Sequence, residues 1–316
     1  MEMSRNYLKH HTKFLVIIVL MAFACASPKR RSDQGEPYPA GPKDHPELMG
    51  PEAPATAEVY GPEPVENRAP TLVLSAGQAR AFSQVGVLKA FHEMRVPVGA
   101  ILASGTGALI GALYATSDSI HQFEWKLQKF NTDLFVDQES KLKRFFSSSR
   151  VDRLRKAVEE AFLNQEIQET RVPFQIVFAH PTGSSLLRDQ VLQALREDEV
   201  LESDNSGALP IYPVDQAKSF RTAKIIVVDM GNISDGKYDL GSLSEQQRDY
   251  LIKFKRAIKE STAEMARADF IIAPKLEGVS IFDFQKRSDL VFRGRKESLV
   301  QKSKLQSILK INDAKP

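Results

Sequence analysis

The chain has 316 residues, 42% hydrophobic and 26% charged, with a formal net charge of +3. This is the composition of a globular protein, and the length suits one large domain or two small ones. Arg5, Lys9 and Lys13 against Glu2 account for two of those charge units, so the chain beyond residue 24 carries +1 and offers no electrostatic case for nucleic acid.

The same three cations precede a short apolar run at 14–24. That run is shorter than the ~20 residues needed to span a bilayer, so residues 1–25 are expected to be an export signal. The only cysteine, Cys25, follows Ala22-Phe23-Ala24 directly. A lone cysteine excludes internal disulfides and cysteine-ligated metal clusters, and no cofactor or metal is expected. The segment resembles a bacterial lipobox, which implies cleavage before Cys25 and its acylation. The alternative is a cleaved signal with Cys25 lost or left as a free thiol. The lipobox resemblance implies a lipid anchor in the bacterial cell envelope, at the outer membrane, facing the periplasm or the cell surface. Residues 26–70 hold 10 of the 17 prolines, with mixed charges and no apolar period. They are expected to form an extended spacer, with a reach on the order of 100 Å at ~3.1 Å per residue.

The folded domain is expected over 71–316. Residues 71–74 form a short apolar run of the kind a buried strand uses. Val85, Leu88 and Phe91 predict a helix over 84–94, and 98–102 a second strand. Small residues over 107–115 predict a helix that lies close to the sheet. Helices follow over 121–130 and 150–163, the second capped from Ser147-Ser148-Ser149. A strand is expected over 172–179 and a helix over 186–202. Within that helix, the acidic run Glu197-Asp198-Glu199 is expected to mark a solvated surface. A strand over 223–229 is followed by a capping box at 242–245 opening a helix to 268. A last strand over 268–274 and a helix over 286–309 close the chain. Alternating strands and helices imply an α/β fold with a mainly parallel central sheet and helices on both faces.

Gly86-Val87-Leu88-Lys89-Ala90 and the run from Gly107-Ala108-Leu109 to Tyr114-Ala115 resemble the patatin-like phospholipase family nearly letter for letter. Val191 to Arg196, Pro213 to Ala217 and Ala268 to Pro274 are also similar to that family, so the resemblance covers roughly 71–300. It implies the three-layer patatin-like fold and a Ser–Asp hydrolytic dyad beside a glycine-rich oxyanion loop. The motif frame puts Ala103 at the first elbow glycine and Gly105 at the nucleophilic serine. Gly207-Ala208 puts Ser206 at the catalytic aspartate, with Asp204, two residues upstream, as the alternative. Gly77, Gln78 and Arg80 remain from the oxyanion loop, while Ala76 and Ala81 replace glycines. The loop lacks the Walker spacing of a phosphate site. His180 and Asp229, each at a strand end, are read as structural.

A nucleophile elbow strains its central residue so that the side-chain oxygen stands clear of the sheet. Gly105 keeps the turn and removes the oxygen. The resemblance with these departures implies a membrane-anchored pseudoenzyme with a lipid-binding or scaffolding role, its partner an acyl lipid or an envelope protein. The alternative is an active lipid acyl hydrolase with Ser104 or Thr106 as nucleophile and Asp204 as base. A purely structural envelope tether is a third reading. The inert reading fails if the fold brings a hydroxyl at that bend to a carboxylate, with two backbone amides facing it.

Overall fold

The computed structural model describes residues 69–136, 149–201, 209–222, 224–230 and 241–310. Cys25, Asp204, Ser206 and the 26–68 part of the spacer lie outside the described residues. Among the described residues, five short strands form one parallel sheet: β1 (Thr71–Leu74), β2 (Ala100–Ala103), β3 (Phe174–Ile176), β4 (Ile225–Val228) and β5 (Phe270–Ile272). The order is β3-β2-β1-β4-β5, with Thr71 in register with both Ala100 and Ile225. β1, β2 and β4 are buried at every residue, as continuous apolar strands covered on both faces must be.

The helices are α1 (Ser83–Glu93), α2 (Gly105–Ala115), α3 (Ile120–Lys129), α4 (Arg150–Phe162), α5 (Leu187–Glu197), the single turn α6 (Val214–Ala217), α7 (Glu245–Met265), α8 (Arg287–Val300) and α9 (Lys302–Leu309). They cover both faces of the sheet in a three-layer α/β fold. α1 packs along α8, and α2 along α5 and the sheet. The α1–α8 pair is close enough for backbone to meet backbone. A Cβ on Gly86 would lie 2.0 Å from the Val291 carbonyl oxygen, and one on Gly294 would lie 1.9 Å from that of Ser83. Arg287, at the start of α8, donates to the Leu127 and Phe130 carbonyls at the end of α3. Burial pushes its guanidinium down to about 10.

Several element boundaries differ from the sequence reading, each for a local reason. The strand expected over 172–179 stops at Ile176, because the amides of Ala179 and His180 bond the Glu197 carboxylate at 3.0 and 2.8 Å. The helix expected over 186–202 stops at Glu197. Glu199 turns left-handed at φ 52°, its amide bonding the Arg196 carbonyl and that of Val200 the Leu195 carbonyl. This is a Schellman closure. The capping box sits two residues later than the sequence suggests, joining Ser244 to Gln247 rather than spanning 242–245. The expected 286–309 helix is two helices that meet at Gln301. Ser149 alone of the serine triplet lies among the described residues, and its hydroxyl caps α4.

The acidic run is not on a solvated surface. Glu197 and Asp198 are fully buried, and Glu199 pairs with Lys253 at 3.4 Å, with both side chains less than a tenth exposed. Backbone closure of α5 turns all three carboxylates inward. Charge alone carries no sign of this, because each of the three is bonded by groups distant in sequence.

Tyr212 gives the fold a measurable pH dependence. Its hydroxyl donates to the Asp229 carboxylate and accepts from the Met230 amide at 3.3 Å. Burial, then the neighbouring Asp229 charge, raises its pKa well above 10.0. The unfolded tyrosine ionises near 10. The folded state therefore gains stability below pH ~10 and loses it as pH rises past that value. Urea unfolding followed from pH 8 to 11 is expected to show a steeper alkaline loss in the wild type than in Tyr212→Phe. Parallel curves would remove Tyr212 as the cause.

Candidate functional site

The site lies at the carboxyl ends of β1 and β2, where parallel α/β sheets place their binding crevices. β1 runs into the loop of Ser75, Ala76 and Gly77, then a 3-10 turn at Gln78–Phe82. Gly77 has φ 149°, and Gln78, which is not glycine, has φ 45°. Holding a side-chain-bearing residue there costs roughly 1–3 kcal/mol and requires local bonds to fix it. Those bonds go to one residue. The Gln78 amide donates to Asp198 Oδ2 at 3.1 Å, and its side chain to the Asp198 carbonyl at 3.0 Å.

β2 runs into Ser104, the extended residue that precedes α2. Its hydroxyl is buried and accepts from the Ala76 amide at 3.2 Å. This bond ties the two loops together. Gly105 follows with φ 51°, the bent conformation of an elbow tip. No side chain fits there. A Cβ would meet the Ala76 Cβ at 2.5 Å, the Ala76 Cα at 2.9 Å and the Asp198 Cγ at 2.9 Å. The frame that assigns Gly105 to the tip of the bend thus coincides with the backbone turn, and the space a nucleophile would need is filled by carbon.

Asp198 is the residue the sequence reading missed. It is fully buried at the end of α5. Its Oδ2 accepts from the amides of Gly77 at 3.3 Å, Gln78 at 3.1 Å and Thr106 at 2.8 Å, and from the Thr106 hydroxyl at 2.5 Å. Its Oδ1 accepts from the Tyr250 hydroxyl on α7. In an elbow enzyme the oxyanion hole is made by the amide after the nucleophile together with an amide of the preceding loop. Here those positions are Thr106 and Gly77-Gln78. All three amides converge on a carboxylate oxygen of the chain itself. The N-terminus of α2 adds its partial positive charge to the same point. A signal for Asp198 does exist in the sequence: the family likeness that runs from Val191 to Arg196 stops at Glu197-Asp198.

The bend therefore does carry a hydroxyl beside a carboxylate, the first half of the condition on which the inert reading fails. The second half, two backbone amides facing that hydroxyl, is not met, because the Gly77 and Gln78 amides bond the carboxylate. The arrangement differs from a working dyad in one respect. The two loop amides face the carboxylate, so the would-be base occupies the place of the developing oxyanion. Thr106 and Asp198 are both without solvent exposure.

The remaining candidates have structural partners. Arg80 is buried and donates to the carbonyls of Val279 at 2.9 Å, Met230 at 3.3 Å and Leu276 at 3.4 Å. These bonds brace the loop from within the core. His180 is exposed, with its amide on Glu197. Asp229 accepts from Tyr212. A cleft of about 380 Å³ is lined by Gln78, Phe135, Arg150, Glu199, Tyr250 and Phe284, among others. Gln78 and Tyr250 both bond Asp198, so the carboxylate lies behind the wall of this cleft. Among the described residues no cluster of histidine, cysteine, aspartate or glutamate could hold a metal, and no helix is long and apolar enough to cross a membrane.

Comparison with known proteins bears on the family of this chain. The family described as Patatin-like phospholipase matches residues 72–268. Patatin-like phospholipase domain-containing protein 6 of Mus musculus is 24% identical over 208 residues, which cover 58% of this chain and 15% of that protein. Lysophospholipase NTE1 of Cryptococcus neoformans is 25% identical over 185 residues, covering 52% of this chain and 11% of its own length. Lysophospholipase nte1 of Aspergillus niger is 41% identical over a shorter stretch of 59 residues. The chain thus spans a small fraction of the length of the curated relatives it matches. Because the family match runs through more than half of the sequence, from β1 through α7, this chain belongs to the patatin-like phospholipase family.

Proposed function

We propose that this chain is a pseudoenzyme, a patatin fold that has lost ester hydrolysis and acts in lipid binding or scaffolding. One observation carries the reading. At the tip of the elbow stands Gly105, and the atoms of Ala76 and Asp198 leave no room for a side chain there. An acyl transfer needs a nucleophile at that tip and an empty hole for the oxyanion. The full chain, incubated with a fluorophosphonate probe and with p-nitrophenyl esters, is expected to show neither labelling nor turnover above background. Labelling that disappears in Thr106→Val or Ser104→Ala would overturn this reading.

A second reading is favoured by the 2.5 Å contact between the Thr106 hydroxyl and Asp198. It is a hydrolase in which Asp198 leaves the hole and takes the Thr106 proton. Relatives whose names include lysophospholipase make a lysophospholipid ester its substrate class. The same probe assay separates the two, since the second reading requires labelling lost in both Thr106→Val and Asp198→Asn.

Membrane attachment through an acylated Cys25, in a bacterial envelope, belongs to the first reading. It is supported by the apolar run and the Ala22-Phe23-Ala24-Cys25 sequence. A clickable fatty acid is expected to label the wild type and not Cys25→Ser. Label retained in that variant ends the anchor.

A further inference from the structure

We propose that the amide pocket at the elbow is a carboxylate-binding site, and that its resident ligand is Asp198 of the same chain. The inference rests on the pseudoenzyme reading and adds what the retained pocket now does. Five donors meet one side chain: three backbone amides and the hydroxyls of Thr106 and Tyr250. Four of them converge on Oδ2 alone. A neutral side chain of similar size satisfies such an array poorly, because hydrogen bonds to a charged acceptor are roughly twice as strong as neutral ones. The pocket also holds a residue in a strained conformation, Gln78 at φ 45°, whose amide and side chain both bond Asp198.

The occupant joins parts of the chain that are far apart in sequence. Asp198 sits at the end of α5, Gly77 and Gln78 follow β1, Thr106 opens α2, and Tyr250 lies on α7. Its neighbours make the same kind of link. Glu197 bonds the amides of Ala179 and His180 after β3, and Lys253 of α7 donates to the Glu197 carbonyl at 3.0 Å. The donors that stabilise a passing oxyanion in an elbow enzyme therefore hold the Asp198 side chain here, and the acidic run becomes an internal clasp. A substrate carbonyl cannot enter while that carboxylate remains.

The test is chemical rescue followed by thermal melting of the full chain. Asp198→Ala leaves five donors unmet and is expected to lower Tm by about 10 °C. Sodium acetate or formate is expected to raise the Tm of this variant saturably, by about 3 °C over sodium chloride of equal ionic strength. The wild type, with its pocket already filled, is expected to respond to acetate and chloride alike. A variant that melts with the wild type, or an acetate shift equal in both proteins, would overturn the proposal. Should Asp198→Ala fail to fold, Asp198→Asn keeps the volume and one acceptor. It is expected to melt several degrees below the wild type with no acetate response, and a wild-type Tm would sink the idea. Melting reads occupancy of the pocket, whereas the fluorophosphonate assay reads the reaction. A chain that labelled yet showed acetate rescue would lose the pseudoenzyme reading and keep the carboxylate site.

Discussion

Gly105→Ser, made alone, is expected to destabilise the domain by about 2–5 kcal/mol and to confer no hydrolysis. Two costs add. A side chain at φ 51° is strained by roughly 1–2 kcal/mol. Its Cβ also lies 2.5 Å from that of Ala76 and 2.9 Å from the Asp198 Cγ, closer than packed carbons approach, and overpacking of this kind costs about 1–3 kcal/mol or more. Urea unfolding measures the sum. Ala76→Gly removes the nearest contact, so Gly105→Ser with Ala76→Gly is expected to recover about 1 kcal/mol or more as a coupling energy. The fluorophosphonate probe is expected to label neither protein, because Asp198 still fills the oxyanion position. A stable, labelled Gly105→Ser protein would mean that the elbow had only lost its oxygen and that nothing had closed over the gap.

The α1–α8 seam is the other place where one methyl group is expected to act strongly. In Gly86→Ala the new carbon would lie 2.0 Å from the Val291 carbonyl oxygen and 2.5 Å from the Arg295 amide. In Gly294→Ala it would lie 1.9 Å from the Ser83 carbonyl oxygen. All of these neighbours are backbone, so no rotamer change relieves the contact and the helices must part. Each substitution is expected to cost more than about 3 kcal/mol, at the upper end of single-residue effects. The double variant is expected to cost less than the sum of the singles, since one separation of the helices accommodates both methyl groups. Additive losses would show that the two glycines act at independent sites.

These expectations mark which parts of the molecule the sequence discloses. Thr71 to Leu74, the apolar residues of α1 and α4, and the small residues of α2 announce their elements through period and bulk. The elbow turn is legible through its frame with Gly107-Ala108. What escapes is whatever depends on a turn that closes across the chain. Three adjacent carboxylates read as surface because isolated charge favours water. Their burial depends on the left-handed Glu199, which local spacing does not disclose, and on donors drawn from β1, α2 and α7. The capping box is missed for a smaller reason. Ser242 and Ser244 both head a plausible box, and only the helix start decides between them. Asp204 and Ser206, the two candidates for the catalytic base, fall outside the described residues.

The Asp198 array has one more consequence, for rates of exchange with solvent. In an open site the loop amides that await a substrate trade their protons quickly with water. Here the amides of Gly77, Gln78 and Thr106 are bonded to a side chain with no contact with solvent. They exchange only when α5 or the loop itself opens, as deep core amides do. The segment that a catalyst keeps accessible is therefore expected to exchange among the slowest parts of this domain, and the stability that an active centre commonly sacrifices to be retained.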